Sequence, residues 1–177
     1  MPLVKVKHPH VRAGQLIGRF LAASAVALLV AGGSGVSAAS ASGHDHNPKD
    51  SNDIQFGPAP DVFPAGAEMA VVQGDPSVVG AIFTVRLRLP NGYVLPPHTH
   101  PTDENVTVIS GTFLVGLGDK VEKNAFLPPL RRGGFITAPA DAHHFAKAKS
   151  RTVVQVHAIG PFQLTYVDQN DDPRHAS

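Results

Sequence analysis

At 177 residues the chain has room for one domain and a short extension, and without a single cysteine it can form no disulfide, thiolate zinc site, iron–sulfur cluster or cysteine nucleophile. Its 17 glycines and 16 prolines weigh against a mostly helical protein. The formal charge of +1 is unevenly spread: Lys5, Lys7, Arg12 and Arg19 stand in the first 44 residues, which hold no acid, and the remainder carries 11 basic against 14 acidic residues, a balance that points away from nucleic acid as a partner.

The basic opening leads into Phe20 to Ala31, a run of small and aliphatic residues, followed by Gly32-Gly33-Ser34-Gly35 and alternating Ala and Ser. This is the layout of a secretory signal peptide, expected over residues 1–41, with cleavage after Ala38 or Ala41. The apolar run is short of the roughly 20 residues that a bilayer span needs, so the expectation is export, periplasmic or secreted, with no stable membrane insertion after cleavage. Residues 42–53 read as a flexible linker, because 43 to 53 hold no aliphatic or aromatic side chain to bury. Cleavage after Ala41 would make His44 the third residue, where with a free amine it can wrap a copper or nickel ion; a solvated polar tail explains the segment equally.

From Ile54 the pattern changes to short β-type runs between turn residues. Ala81 to Leu89 alternates, with Phe83, Val85, Leu87 and Leu89 on one apolar face. Asn91-Gly92 is the strongest turn dipeptide. Val106 to Leu117 reads as two runs joined at Ser110-Gly111, Phe135 to Ala138 as another, and Arg151 to Ile159 and Phe162 to Val167 as two more. Short strands at this spacing predict an all-β barrel or sandwich over residues 54–170, with 171–177 as a C-terminal tail. The proline-rich stretch from Ile54 to Val79 is expected to cover one edge or to pack on a neighbouring subunit.

Within that region Gly92, His98, His100, Glu104 and Gly111 follow the spacing G-x5-H-x-H-x3-E-x6-G. Residues two apart on a strand share a face, so His98 and His100 can present ring nitrogens to one point about 2.0 to 2.2 Å away, and Glu104 can add a carboxylate oxygen across the bend at Pro101. Further on, Gly133 and Pro139 precede the pair His143-His144, of which strand geometry allows only one to face inward.

These two segments resemble the paired signature motifs of the cupin superfamily. The resemblance implies a double-stranded β-helix, a small jelly-roll-like barrel. Position by position it makes His98, His100, Glu104 and His144 the metal ligands. Asp141 stands where the family usually has Gly, and Ala148 where it often has Asn; Asp tolerates a left-handed backbone better than most residues, so the turn can survive.

The implied cofactor is a divalent transition metal, whether Fe, Mn, Ni, Cu, Co or Zn. Four protein ligands around an ion that prefers six leave two adjacent positions for water, substrate or dioxygen. The implied function is a mononuclear metal-dependent small-molecule oxidoreductase of dioxygenase type. The alternatives are a non-catalytic small-molecule or metal-binding module, or metal-assisted isomerase or lyase chemistry in which Glu104 leaves the ion to act as catalytic base. A small-molecule ligand and a homodimer are the partners the resemblance implies.

Elsewhere, His157 reads as a wall histidine, Tyr93 and Tyr166 as packing, and Phe113, Leu117, Phe135 and Phe145 as core. Arg131-Arg132 reads as a solvated loop and Arg86 and Arg88 as solvent-exposed.

Overall fold

The computed structural model describes residues 47–175. The expected signal peptide over 1–41, the His44 site and the first part of the linker lie outside the described residues, as do residues 176 and 177. Among the described residues eleven strands run in chain order: β1 Gly57–Pro58, β2 Glu68–Gln73, β3 Ile82–Leu89, β4 Val94–Thr99, β5 Glu104–Ser110, β6 Thr112–Leu117, β7 Leu130–Arg131, β8 Phe135–Ala138, β9 His144–Ala148, β10 Thr152–Ile159 and β11 Thr165–Tyr166. They form two antiparallel sheets, ordered β1-β2-β3-β10-β5-β8 and β11-β4-β9-β6-β7.

The period-two alternation of β3 builds the first sheet. Phe83, Val85, Leu87 and Leu89 are buried, and β10 pairs along the whole strand from Thr152↔Leu89 to Ile159↔Ile82. Val154 and Val156 of β10 and Val106 and Val108 of β5 share that face. They pack in one core with Phe113 and Val115 of β6 and Ala146 and Ala148 of β9, from the second sheet. Burial of apolar side chains on both inner faces holds the two sheets together, and the strand ladders satisfy the backbone.

The turn between β5 and β6 needs glycine. Gly111 has φ 84°, and a Cβ there would lie 2.5 Å from the Arg151 carbonyl oxygen. Gly116 is a different case: a Cβ at that position would lie 2.2 Å from the Phe145 ring. Phe145 points to the outer side of the second sheet and is nevertheless fully buried, because Phe126 covers it edge-on at a centroid distance of 5.0 Å.

Several expectations are corrected. The stretch from Ile54 to Val79 does more than cover an edge: β2 adds a strand to β3, and Phe63 and Ala67 enter the core. The run expected over Phe162 to Val167 shrinks to Thr165–Tyr166. Leu117 and Phe135 are not core residues, being 52% and 57% exposed. Phe135 pairs with Thr107 on the outward face of β8, an edge strand, and Leu117 is the last residue of β6. Arg86 and Arg88 are half-buried rather than free in solvent: Arg86 donates to Gln155 at 3.0 Å, and Arg88 pairs with Glu68 at 2.9 Å while lying over the Phe56 ring.

A candidate metal centre

Strand β4 carries the first imidazole, His98, although it contains Pro96 and Pro97. Proline has no N–H for a ladder, and the pairing of β4 with β9 is interrupted between Leu95 and His98, then resumes at His98↔His144. His98 therefore faces His144 across the sheet, with ring centroids 4.2 Å apart. His100 lies just past the end of β4, and Glu104 is the first residue of β5, opposite Ala138. All four residues are buried inside the barrel, none more than 8% exposed.

Each imidazole is oriented by the main chain. Nδ1 of His98 donates to the Pro96 carbonyl at 2.7 Å, Nδ1 of His100 to that of Gln163 at 2.6 Å, and Nδ1 of His144 to that of Ala142 at 2.9 Å. A carbonyl oxygen only accepts, so each Nδ1 carries the proton and each Nε2 presents a lone pair. One ring nitrogen from each of the three histidines lies within 4.8 Å of those of the other two, close enough to hold one metal ion. Oε2 of Glu104 is 3.6 Å from Nε2 of His100 and 3.7 Å from Nε2 of His144. These separations are too long for good hydrogen bonds and slightly wider than the roughly 3.0 to 3.4 Å between two ligands that share an ion at about 2.1 Å.

Two of those nitrogens, Nε2 of His100 and Nε2 of His144, are buried with no hydrogen-bond partner. An orphaned buried polar atom is costly and calls for an explanation, and a bound cation would supply one here. The electrostatics agree with a charge-seeking cluster. Burial, and after it the neighbouring His144 and His100, pushes His98 down to about 3, so its ring is neutral. Burial raises Glu104, but the surrounding imidazoles, His100 foremost, outweigh it and hold the carboxyl below its usual range. Burial likewise lowers His144, and the adjacent Glu104 carboxylate more than reverses it.

The pair His143-His144 is resolved by parity. His144 faces the interior; His143 is exposed and its Nδ1 meets the Asp119 carboxylate. The turn before them holds because Asp141 takes the left-handed conformation, φ 59°, the sole positive-φ non-glycine among the described residues. Two bonds join this turn to the first motif: Asp141 N–H donates to the His100 carbonyl at 2.9 Å, and Ala140 N–H to the Asp103 carboxylate at 2.9 Å.

The side chains of His98, His100, Glu104 and His144 border an apolar cavity of about 30 Å³, lined by side chains such as Leu87, Leu95, Val106, Val115 and Phe162. Tyr93 also lines it, but its hydroxyl donates to the Pro64 carbonyl at 2.9 Å; Tyr166 donates to that of Val62 at 2.7 Å. Burial raises both phenols, and both residues are buried in the core. His157 lies on the outer face of the first sheet, 3.0 Å from Thr84 Oγ1, and Arg131 and Arg132 are exposed. Sequence reading missed Phe162, which stacks on His100 at 5.4 Å, and the Gln163 carbonyl that orients the same ring. A main-chain acceptor leaves no residue-type signal.

No family model matches the sequence, and no curated protein does. Solved structures do. The crystal structure of a putative acetylacetone dioxygenase from Methylibium petroleiphilum PM1 is 17% identical, with 75% of this chain and 88% of that one covered at a TM-score of 0.56. An RmlC-like cupin protein from Ralstonia eutropha JMP134 is 18% identical, with 70% and 73% covered at 0.51. The domain therefore has the cupin fold, the all-β double-stranded β-helix, with three histidines gathered where they can hold a metal.

Proposed function

We propose that this is a mononuclear metal-dependent cupin in which His98, His100, Glu104 and His144 hold a divalent transition ion, and that it acts as a small-molecule oxidoreductase of dioxygenase type. The observation that carries the reading is the pair of orphaned, buried Nε2 atoms on His100 and His144, facing a carboxylate and fixed from behind by backbone carbonyls. An ion of this kind supplies Lewis acidity and, for iron, manganese, nickel or copper, one-electron chemistry toward dioxygen.

The chain's own residues contribute orientation and a dry surround. The three carbonyl contacts keep each imidazole in its ligating tautomer. The apolar wall excludes water and strengthens charge interactions at the centre. Glu104 is the one side chain of the set able to exchange a protein proton with substrate, because the histidine Nδ1 protons are committed to carbonyls. The likeness of fold to a putative acetylacetone dioxygenase is consistent with this reading. Export to the periplasm or medium and homodimerisation belong to the same proposal, supported by the leader-like pattern of residues 1–41 and by the cupin resemblance.

A second reading, a non-catalytic metal- or small-molecule-binding cupin, is favoured by the cavity lining: among the described residues the one proton-bearing side chain there outside the proposed ligand set is Tyr93, whose hydroxyl is committed to the Pro64 carbonyl. Elemental analysis of the purified full chain, followed by oxygen-uptake measurements against small oxygenated carbonyl compounds, separates the two. One transition ion per chain and substrate-dependent oxygen uptake is the expected result. Metal-loaded protein that binds such compounds without consuming oxygen would support the binder, and protein that takes up no ion after reconstitution would overturn both.

A further inference from the structure

The cavity wall also restricts the chemistry of what sits beside the ion. Among the described residues, apart from the four proposed ligands, its only polar side chain is Tyr93, whose hydroxyl is already bonded to the Pro64 carbonyl, and no Lys, Arg, Asn, Gln or Ser lines it. A divalent ion with three neutral imidazoles and one carboxylate carries a net charge of about +1, since each histidine keeps its Nδ1 proton. A monoanionic ligand cancels that charge. A dianion leaves an uncompensated negative charge in an apolar enclosure, and a polyhydroxylated ligand leaves hydroxyls without partners.

We infer that the site selects a small, largely apolar molecule that chelates through two neighbouring oxygens as a monoanion, the chemistry of an enolised 1,3-dicarbonyl compound, and rejects dicarboxylates and sugars. This rests on the metal-site reading above and goes beyond it by naming the ligand class. Space within the barrel is about 30 Å³, room for a few waters at most. A ligand of several carbons therefore displaces a wall side chain, and Phe162 is the one placed to yield. It is half-buried and lies in residues 160–164, which belong to no strand.

The test uses pentane-2,4-dione and malonate, which match in heavy-atom count and form the same six-membered chelate ring but differ in charge. Cobalt-reconstituted full chain is dialysed, its cobalt content measured, and each compound titrated while the visible spectrum of the cobalt centre is followed. Cobalt is measured again afterwards to show that none was stripped. The dione is expected to perturb the spectrum with a dissociation constant about tenfold or more below that of malonate. Phe162→Ala is expected to tighten dione binding and leave malonate weak, because widening the cavity does not supply a cation.

Malonate binding as tightly as the dione, an equal gain for malonate in the Phe162→Ala protein, or a cobalt spectrum unmoved by the dione would each overturn the inference while leaving the metal site standing. A chain that takes up no cobalt would overturn the metal reading and this one with it.

Discussion

Nδ1 of His100 donates to the backbone carbonyl of Gln163, 63 positions away in the chain, at 2.6 Å. His98 and His144 each make a similar bond to a carbonyl two residues earlier, so His100 is the one imidazole whose orientation depends on a distant segment.

That arrangement predicts how metal binding responds to single substitutions. His98→Ala, His100→Ala, Glu104→Ala and His144→Ala should each lower metal affinity by about 10-fold to 100-fold or more, because outer contacts alone are worth that range and these are the proposed ligands themselves. His143→Ala should retain wild-type metal content, since His143 is exposed and paired with Asp119. Metal-to-protein ratios after dialysis check this. Metal at 100 times its dissociation constant should also stabilise the wild type by about 2.7 kcal/mol, seen as a higher Tm that chelator reverses.

The contact between Asp103 and Ala140 ties the His100–Glu104 bend to the turn that presents His144. Asp103→Ala removes the acceptor, whereas Asp103→Asn keeps an oxygen that can receive the same N–H. The expected outcome is roughly tenfold weaker metal binding for the alanine variant with rescue by asparagine. Equal losses in both, by titration of the metal-free protein, would show that charge rather than the clasp is responsible.

Asp141 occupies a left-handed turn at φ 59°. A β-branched residue there meets a carbonyl oxygen, at about 1–2 kcal/mol, so Asp141→Val should lower the unfolding free energy by about that amount, read from urea titration, and weaken metal retention. Asp141→Gly should fall within about 0.5 kcal/mol of wild type, because relief of backbone strain offsets the larger chain entropy of glycine.

Much of this site was legible before any coordinates. The spacing of His98, His100 and Glu104 is a local property, and the tolerance of Asp141 for a left-handed backbone could be argued from its side chain alone. The alternation of β3 reads directly because one face is wholly apolar and buried, while the other carries Thr84, Arg86 and Arg88 and is buried only at Thr84. What escaped was non-local or irregular. Pro96 and Pro97 disguise β4, whose pairing is broken where the prolines fall. In β2 a register shift between Val71 and Gln73 spoils the period of two. Leu117 and Phe135 looked like core by composition, yet a strand end and an outward edge position left them exposed. Neither the Phe162 stack nor the Gln163 carbonyl could be inferred from residue type, since both depend on where residues 160–164 return over the barrel.

Gly116 lets the Phe145 ring lie against the β6 backbone, and a methyl group there would sit 2.2 Å from a ring atom. Phe145 is fully buried beneath Phe126, so it has no free direction in which to retreat. Gly116→Ala should destabilise the domain by about 1–3 kcal/mol, the usual range for overpacking, measured by urea unfolding. Because Phe145 follows His144 directly, the same variant should also loosen metal binding. A neutral effect on both would show that the outer cluster is softer than its packing indicates.

The C-terminal end offers a test of acid stability. Asp172 is buried and accepts from Arg174 through Nε at 2.8 Å and Nη2 at 2.5 Å, and also from the Arg174 backbone N–H at 3.0 Å. The Arg174 side chain foremost pulls its carboxyl down to about 2, against the opposing effect of burial, from an ordinary value of 3.8. A carboxyl whose folded value is depressed stabilises the fold fully above its unfolded value and loses that contribution as pH falls through the folded one. The stability difference between wild type and Asp172→Asn should therefore be constant above about pH 5, then shrink between about pH 4 and pH 2 as the wild-type carboxylate is protonated. Paired urea midpoints at each pH measure it. A difference that persists unchanged at the acid end would mean that Asp172 contributes through hydrogen bonds available to a neutral side chain, and not through its charge against Arg174.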